Sequence, residues 1–154
     1  MKLRWLDQND ADMTRLQRFL EETSHSFDPP LGDRVDLAAY PKKLLTEGRV
    51  LVAEPAVGDI GAAVAVYCQP ERFEYAFIPY IAVRDVGRGL GRVLLAKACD
   101  MCRESGSVGV KAQTALSNAR SRRLFSSCGF KEAGTSDNRG NGEPSVMLTL
   151  SFDE

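Results

Sequence analysis

The sequence holds little of what most reactive sites are built from. Its 154 residues include one histidine, His25, so a multi-histidine metal centre is excluded and His25 reads as a loop or substrate-lining residue. Cysteine is scarce and poorly arranged for cross-linking: Cys68, Cys99, Cys102 and Cys128 sit in apolar contexts, not in the loop-rich spacing of a disulfide framework. Cys99 and Cys102 do form a C-x-x-C pair. A zinc site would need two more ligands at matched spacing, and a thioredoxin-like pair would stand at a helix start rather than late in a helical pattern. Both therefore read as small apolar residues on a helix, and no metal is expected. Neither sign of charge is in excess, since 20 Lys+Arg face 21 Asp+Glu for a formal net charge of −1. Counterion release from a nucleic acid and attraction to anionic lipid both need a large positive field, so neither partner is expected. The longest apolar run, residues 60–68, falls well short of the ~20 residues that span a bilayer. The opening MKLRWLDQND lacks an apolar signal segment, and a cytoplasmic location is the expectation.

What the chain does have is enough apolar material for a core: 44% of residues, with seven Phe and four Tyr. The length suits one domain over residues 1–154, and no repeat or linker divides it. A short strand is expected at residues 3–6. Asn9 and Asp10 then offer a cap to a helix with Met13, Leu16, Phe19 and Leu20 on one face. Residues 24–33, with Pro29, Pro30 and Gly32, read as a loop. A second helix is expected at residues 37–47, its first turn disturbed by Pro41. Strands follow at 50–53, 60–68 and 73–83. The middle one is apolar on both faces and belongs in the centre of a sheet. Pro79 interrupts the third, which calls for a bulge or an already opened ladder. A helix from the turn at 87–91 to about residue 104, a strand at 108–114, a helix at 118–128 and a strand from 130 come next. A polar turn at 136–142 precedes a last strand in which Val146, Leu148 and Leu150 alternate. The order describes a mixed α/β sheet with helices on both faces.

The informative stretch runs Val83-Arg84-Asp85-Val86-Gly87-Arg88-Gly89-Leu90-Gly91-Arg92, a glycine-rich turn between strand and helix. Glycine lets backbone approach a ligand, and the first helical turn leaves N–H groups unpaired. Together with the helix dipole they suit a pyrophosphate, and Arg84, Arg88 and Arg92 add positive charge. A dinucleotide fingerprint fails because Arg92 follows Gly91 and the strand does not open a βαβ unit. A Walker A loop fails because no Gly-Lys-Ser/Thr follows.

This turn, together with Asn118-Ala119-Arg120-Ser121 and Leu124-Phe125-Ser126-Ser127-Cys128-Gly129-Phe130 about thirty residues on, resembles the GNAT superfamily of acetyl-CoA-dependent N-acetyltransferases. Residues 27–45 are also similar to a bacterial subgroup associated with surface-polysaccharide synthesis. The resemblance implies a mostly antiparallel twisted sheet of about seven strands with a central splay. It implies acetyl-CoA as co-substrate, held by Ile81, Val83, Arg84, Gly87, Arg88, Gly89, Leu90, Gly91, Arg92, Asn118, Ser121 and Phe125. Two positions depart from the family's pattern. Val86 stands where Arg or Gln usually precedes the first glycine, and Phe125 replaces the tyrosine proposed as general acid for the leaving thiolate.

Direct acetyl transfer then sets three requirements. The acceptor ammonium must lose a proton, for which Glu74, a water chain or the Tyr80 carbonyl are the candidates. The carbonyl oxygen needs a preplaced donor, expected to be the Val83 backbone N–H. A thiolate with a pKa near 8.5 can leave without a strong acid, although Tyr80 stands as a substitute for the missing tyrosine. The basic group Arg120, Arg122 and Arg123 reads either as a solvated helix face or as a contact for the 3′-phosphate. The acceptor is expected to be a primary amine of a small molecule (an amino sugar or amino acid) or of a peptide, taken by a monomer or homodimer. An acyl-CoA-binding sensor with little activity is the alternative.

Overall fold

A computed structural model describes residues 1–27, 30–136 and 144–153; Pro29 and most of the polar turn expected at 136–142 lie outside them. The elements run β1 (Lys2–Trp5), α1 (Asp10–Thr23), α2 (Tyr40–Glu47), β2 (Arg49–Glu54), β3 (Ala62–Tyr67) and β4 (Tyr75–Val83). They continue as α3 (Leu90–Ser105), β5 (Gly109–Ala115), α4 (Ala119–Ser127), β6 (Lys131–Ser136) and β7 (Ser145–Ser151). One seven-stranded sheet results, in the order β1-β2-β3-β4-β5-β7-β6. Its pairings are antiparallel except that between β4 and β5.

Local chemistry explains most boundaries. Asn9 caps α1 by accepting the Asp12 N–H on its side chain at 2.8 Å, which satisfies one of the helix's unpaired donors. Helix α2 starts at Tyr40, three residues later than expected from sequence, with Pro41 in its first turn. Proline is tolerated there because the N–H it lacks has no helical acceptor anyway. Two short 3₁₀ turns, Ser24–Ser26 and Leu31–Asp33, lie between α1 and α2.

The sheet separates two cores. Leu51, Val64, Ile78, Leu94, Leu95, Phe125 and Leu148 pack on the α3 and α4 side. Leu16, Phe19, Leu20, Leu44, Val50, Val52 and Tyr80 pack on the α1 and α2 side. Residues 62–66 of β3 are buried on both faces, as a central strand requires. Cys99 and Cys102 lie in the α3 core, and burial pushes the Cys99 thiol up to about 12, far from the activated range of a redox pair.

One irregularity opens the middle of the sheet. Ala65 pairs with Tyr80, but Tyr67 pairs with Phe77, so β4 carries one more residue than β3 across this interval. Pro79 sits inside that bulge, where its missing donor breaks no ladder. The extra residue also reverses the strand's alternation. Ala76 and Ile78 face the α3 core before it, and Ile81 and Val83 face the same core after it. At the same place β4 leaves β5. Their parallel pairing covers residues 75–78 against 109–112, beyond which β4 stays with β3 as far as Val83 and β5 stays with β7 as far as Ala115. The sheet parts into a gap from Pro79 outward.

Candidate active site

The gap has a donor-bearing wall. The Arg84 N–H bonds to Gly61 O on the β3 side at 2.9 Å, so by strand alternation the main-chain groups of Ile81 and Val83 face away from β3 and into the gap. Val83 therefore presents its N–H where β5 has withdrawn. On the opposite wall stands Gln113, the first β5 residue beyond the parallel pairing, half-buried and donating from Nε2 to Ser145 Oγ. No motif in the sequence marked it.

Both helices that follow these strands begin at the wide end of the gap. At α3, Gly89 occupies the capping position in the left-handed region with no side-chain cap. The Val93 N–H is the first to bond back, to Gly89 O at 3.2 Å, so the amides of Leu90, Gly91 and Arg92 have no acceptor within the helix. The dipole adds about half a positive charge to them. The turn's glycines divide by cause. Gly87 and Gly89 adopt φ of +83° and +71°, and a Cβ on either would meet no described atom within 4 Å. Their backbone conformation demands glycine, and the space over them is open to a ligand. Gly91 is the reverse case: it is helical and buried, and a Cβ there would lie 3.1 Å from Val83 Cγ2 and 3.2 Å from Leu124 Cδ2. It lets α3 draw close to both β4 and α4. Arg88 and Arg92 are exposed beside this turn. At α4, Asn118 accepts the Ser121 N–H on Oδ1 at 3.0 Å, so these two predicted cofactor residues meet at the second helix start.

Three residues stand elsewhere than the sequence reading put them. Arg84 does not reach toward the turn. Its guanidinium forks onto Asp59 at 2.7 and 2.9 Å and onto Asp85 at 2.9 and 3.2 Å, with Glu22 at 3.9 Å. The same guanidinium holds the Asp59 and Asp85 carboxyls below their usual range. Tyr80 alternates to the α1/α2 face and is 2% exposed. Its ring stacks on Phe27 with centroids 5.5 Å apart, and its hydroxyl meets Thr23 Oγ1 at 3.0 Å. Because Thr23 Oγ1 gives its own proton to Phe19 O at 2.8 Å, the Tyr80 hydroxyl is the donor of that pair. Burial raises its pKa, and it sits in the α1/α2 core, away from the α3 face on which Ile81 and Val83 pack. Glu74 is exposed just before β4, at the end still paired to β5, where its carbonyl accepts the Val108 N–H. Five strand steps, ~16 Å at about 3.3 Å each, separate it from the start of the gap. Phe125 lies in the α3 core, 2% exposed and edge-on to Phe130 at 5.0 Å.

The chain matches the acetyltransferase (GNAT) family over residues 16–130, and it belongs to that family. It is accordingly an acetyl-CoA-dependent acyltransferase. Solved structures agree on the fold. The ribosomal-protein-S18-alanine N-acetyltransferase from Escherichia coli superposes with a TM-score of 0.75 at 21% identity, covering 98% of this chain and 94% of that one. The ribosomal-protein-alanine N-acetyltransferase from Brucella melitensis gives 0.75 at 22% identity, over 99% and 100% of the two chains. An acetyltransferase structure from Bacillus anthracis in complex with acetyl coenzyme A gives 0.59 at 23% identity, over 70% of this chain and 64% of that one. No curated protein matches the sequence. Among the described residues no helix is long and apolar enough to cross a membrane.

Proposed function

We propose that residues 1–154 act as one cytoplasmic domain that moves an acetyl group from acetyl-CoA directly to a primary amine in the gap between β4 and β5. The observation that carries this reading is the coincidence, at one end of the gap, of an inward-facing Val83 N–H with an uncapped helix start under open space. In it, the amides of Gly87 through Arg92, with the charges of Arg88 and Arg92, hold the pyrophosphate. The main-chain edge of Ile81 and Val83 takes the pantetheine arm by strand-like bonds, with Asn118 and Ser121 across the gap. The Val83 N–H bonds the carbonyl oxygen as it becomes negative, and a preplaced donor of this kind is worth about 3–4 kcal/mol of barrier. The thiolate departs unaided, since its pKa lies near ~8.5. Phe125 serves packing rather than proton transfer.

Beside the end of β4, Glu22, Asp59 and Asp85 put three carboxylates around one guanidinium. Their surplus negative charge favours an ammonium acceptor over an anionic one. Asp59 and Asp85 stay ionised and are poor proton acceptors, so the ammonium proton leaves through water. Two neighbours that match over nearly the whole chain are alanine N-acetyltransferases of ribosomal proteins, which brings a peptide α-amine to the front of the candidates, with amino sugars and other small amines behind it. Thiol release from acetyl-CoA is the test, with alanine-first peptides and a small-amine panel supplied separately. Release that depends on an amine supports transfer. Failure to bind CoA at all overturns the reading. The second reading, an acyl-CoA-binding module with little activity, draws on the positions of Glu74, Tyr80 and Phe125, and predicts CoA binding without release for any amine.

A further inference from the structure

Among the described residues, the entry to the glycine turn is held from the β3 side, by two main-chain bonds and a charge network. Arg84 and Asp85 both donate their N–H groups to Gly61 O, at 2.9 and 3.1 Å. The Arg84 side chain bridges the Asp59 and Asp85 carboxylates with four bonds of 2.7 to 3.2 Å. Gly61 is part of the same fitting, since a Cβ there would stand 2.6 Å from Asp85 Oδ2. Asp59 and Gly61 lie between β2 and β3, outside the turn that faces the cofactor. Residues 86–89, by contrast, are exposed, with nothing described near the positions where Gly87 and Gly89 would carry side chains. The turn is thus an unsupported arch between two footings: the first turn of α3, and the Asp59–Arg84–Asp85 lock.

Resting on the acetyl-CoA reading above, we propose that Arg84 and Asp59 are positioning residues for the cofactor turn, fixing its amides from behind without touching the phosphates. Charge alone argues for the opposite effect at Asp59, which gives the idea a sign that can be tested. Asp59 is an anion close to a site for a polyanion, so its removal should tighten CoA binding if only the field mattered. If Asp59 positions the turn through Arg84, its removal weakens binding instead.

The experiment is calorimetric titration of the full chain with CoA for wild type, Asp59→Ala, Arg84→Gln and the double variant, each checked for folding by circular dichroism. The proposal expects each single change to weaken CoA binding about tenfold, with the double variant no weaker than either single, because both remove one device. Arg84→Lys keeps the charge but not the fork and should recover part of the loss; Asp59→Asn serves should Asp59→Ala fail to fold. A Kd that is unchanged or tighter at Asp59, while Arg84→Gln weakens binding, would mean that Arg84 meets the phosphates itself and would overturn the proposal. So would unaltered affinity in all variants accompanied only by a lower Tm. Wild-type protein that does not bind CoA would instead overturn the functional reading, and the two failures are told apart by that first titration.

Discussion

Gly89 and Gly91 stand two residues apart in one turn, and alanine at each should fail for different reasons. At Gly89 the backbone sits at φ +71° with no described atom near a Cβ. Alanine there meets no clash but must hold a left-handed conformation, at a cost of about 1–2 kcal/mol. Asparagine tolerates that region far better and also suits a helix start, so Gly89→Asn should stay within about 0.5 kcal/mol of wild type. At Gly91 the backbone is helical, and alanine gains up to ~1 kcal/mol of propensity. Its Cβ would press on Val83 Cγ2 and Leu124 Cδ2 from 3.1 and 3.2 Å, and overpacking of that kind costs about 1–3 kcal/mol. The net loss is therefore about 0–2 kcal/mol, and stability by urea titration will separate the two alanines poorly. Ligand behaviour separates them well. Gly89→Ala can relieve its strain by moving the turn's amides, and should raise the Kd for CoA about tenfold. Gly91→Ala displaces Val83, whose N–H we propose serves the reacting carbonyl, and should lower kcat more than it raises KM for acetyl-CoA. Equal stability of the Ala and Asn proteins at position 89, or an identical kinetic defect at both positions, would refute this division.

Phe125→Ala removes a buried ring from the α3 core and should cost about 3–5 kcal/mol in denaturant unfolding, whereas Phe125→Tyr should leave turnover unchanged or raise it. Tyr80→Phe strips one partner from Thr23 and should cost ~1 kcal/mol of stability with turnover kept; a fall of about a hundredfold or more would restore Tyr80 as the acid. We place the acceptor on the α1/α2 side of the gap, where the Phe27 ring stacks on Tyr80; Phe27→Ala should then raise the acceptor KM while sparing the CoA Kd, and the reverse pattern in steady-state kinetics would put the acceptor elsewhere. Arg4 bonds to Asp12 and holds its carboxyl below the usual range. A depressed folded-state pKa contributes stability above the unfolded value near ~3.9 that is lost as pH falls through the folded one. The stability gap between wild type and Asp12→Asn should therefore be full above about pH 4 and narrow below it, as acid-range unfolding curves would show.

The sequence carried the element order, because period and punctuation are local properties. The alternation of Val146, Leu148 and Leu150 in β7, the Asn9 cap and the buried run of β3 each announce themselves within a few residues. The glycine turn was legible for the same reason. What escaped were outcomes decided by distant contacts. Arg84 reads as a phosphate ligand when only its neighbours in the chain are considered, yet Asp59, twenty-five positions away, claims its guanidinium. Tyr80 reads as a nearby acid until the bulge at Pro79 fixes which face it takes. Glu74 is close to the site along the chain and far from it in space, because an extended strand separates what a turn would bring together. Gln113 had no signal at all: it matters only because β4 departs opposite it.

The bulge makes the length of one short stretch as binding as the identity of any residue in it. Between Phe77 and Tyr80 the strand must hold its odd residue for Ile81 and Val83 to show their backbone to the gap while Tyr80 and Ala82 fill the core under α1. Losing a single residue there would exchange those faces all at once, sending a tyrosine toward α3 and turning the amide of Val83 back toward β3. Substitutions in this segment can be graded and partial. A deletion cannot, and so the stretch around Pro79 should accept changes of side chain far more readily than any change in count.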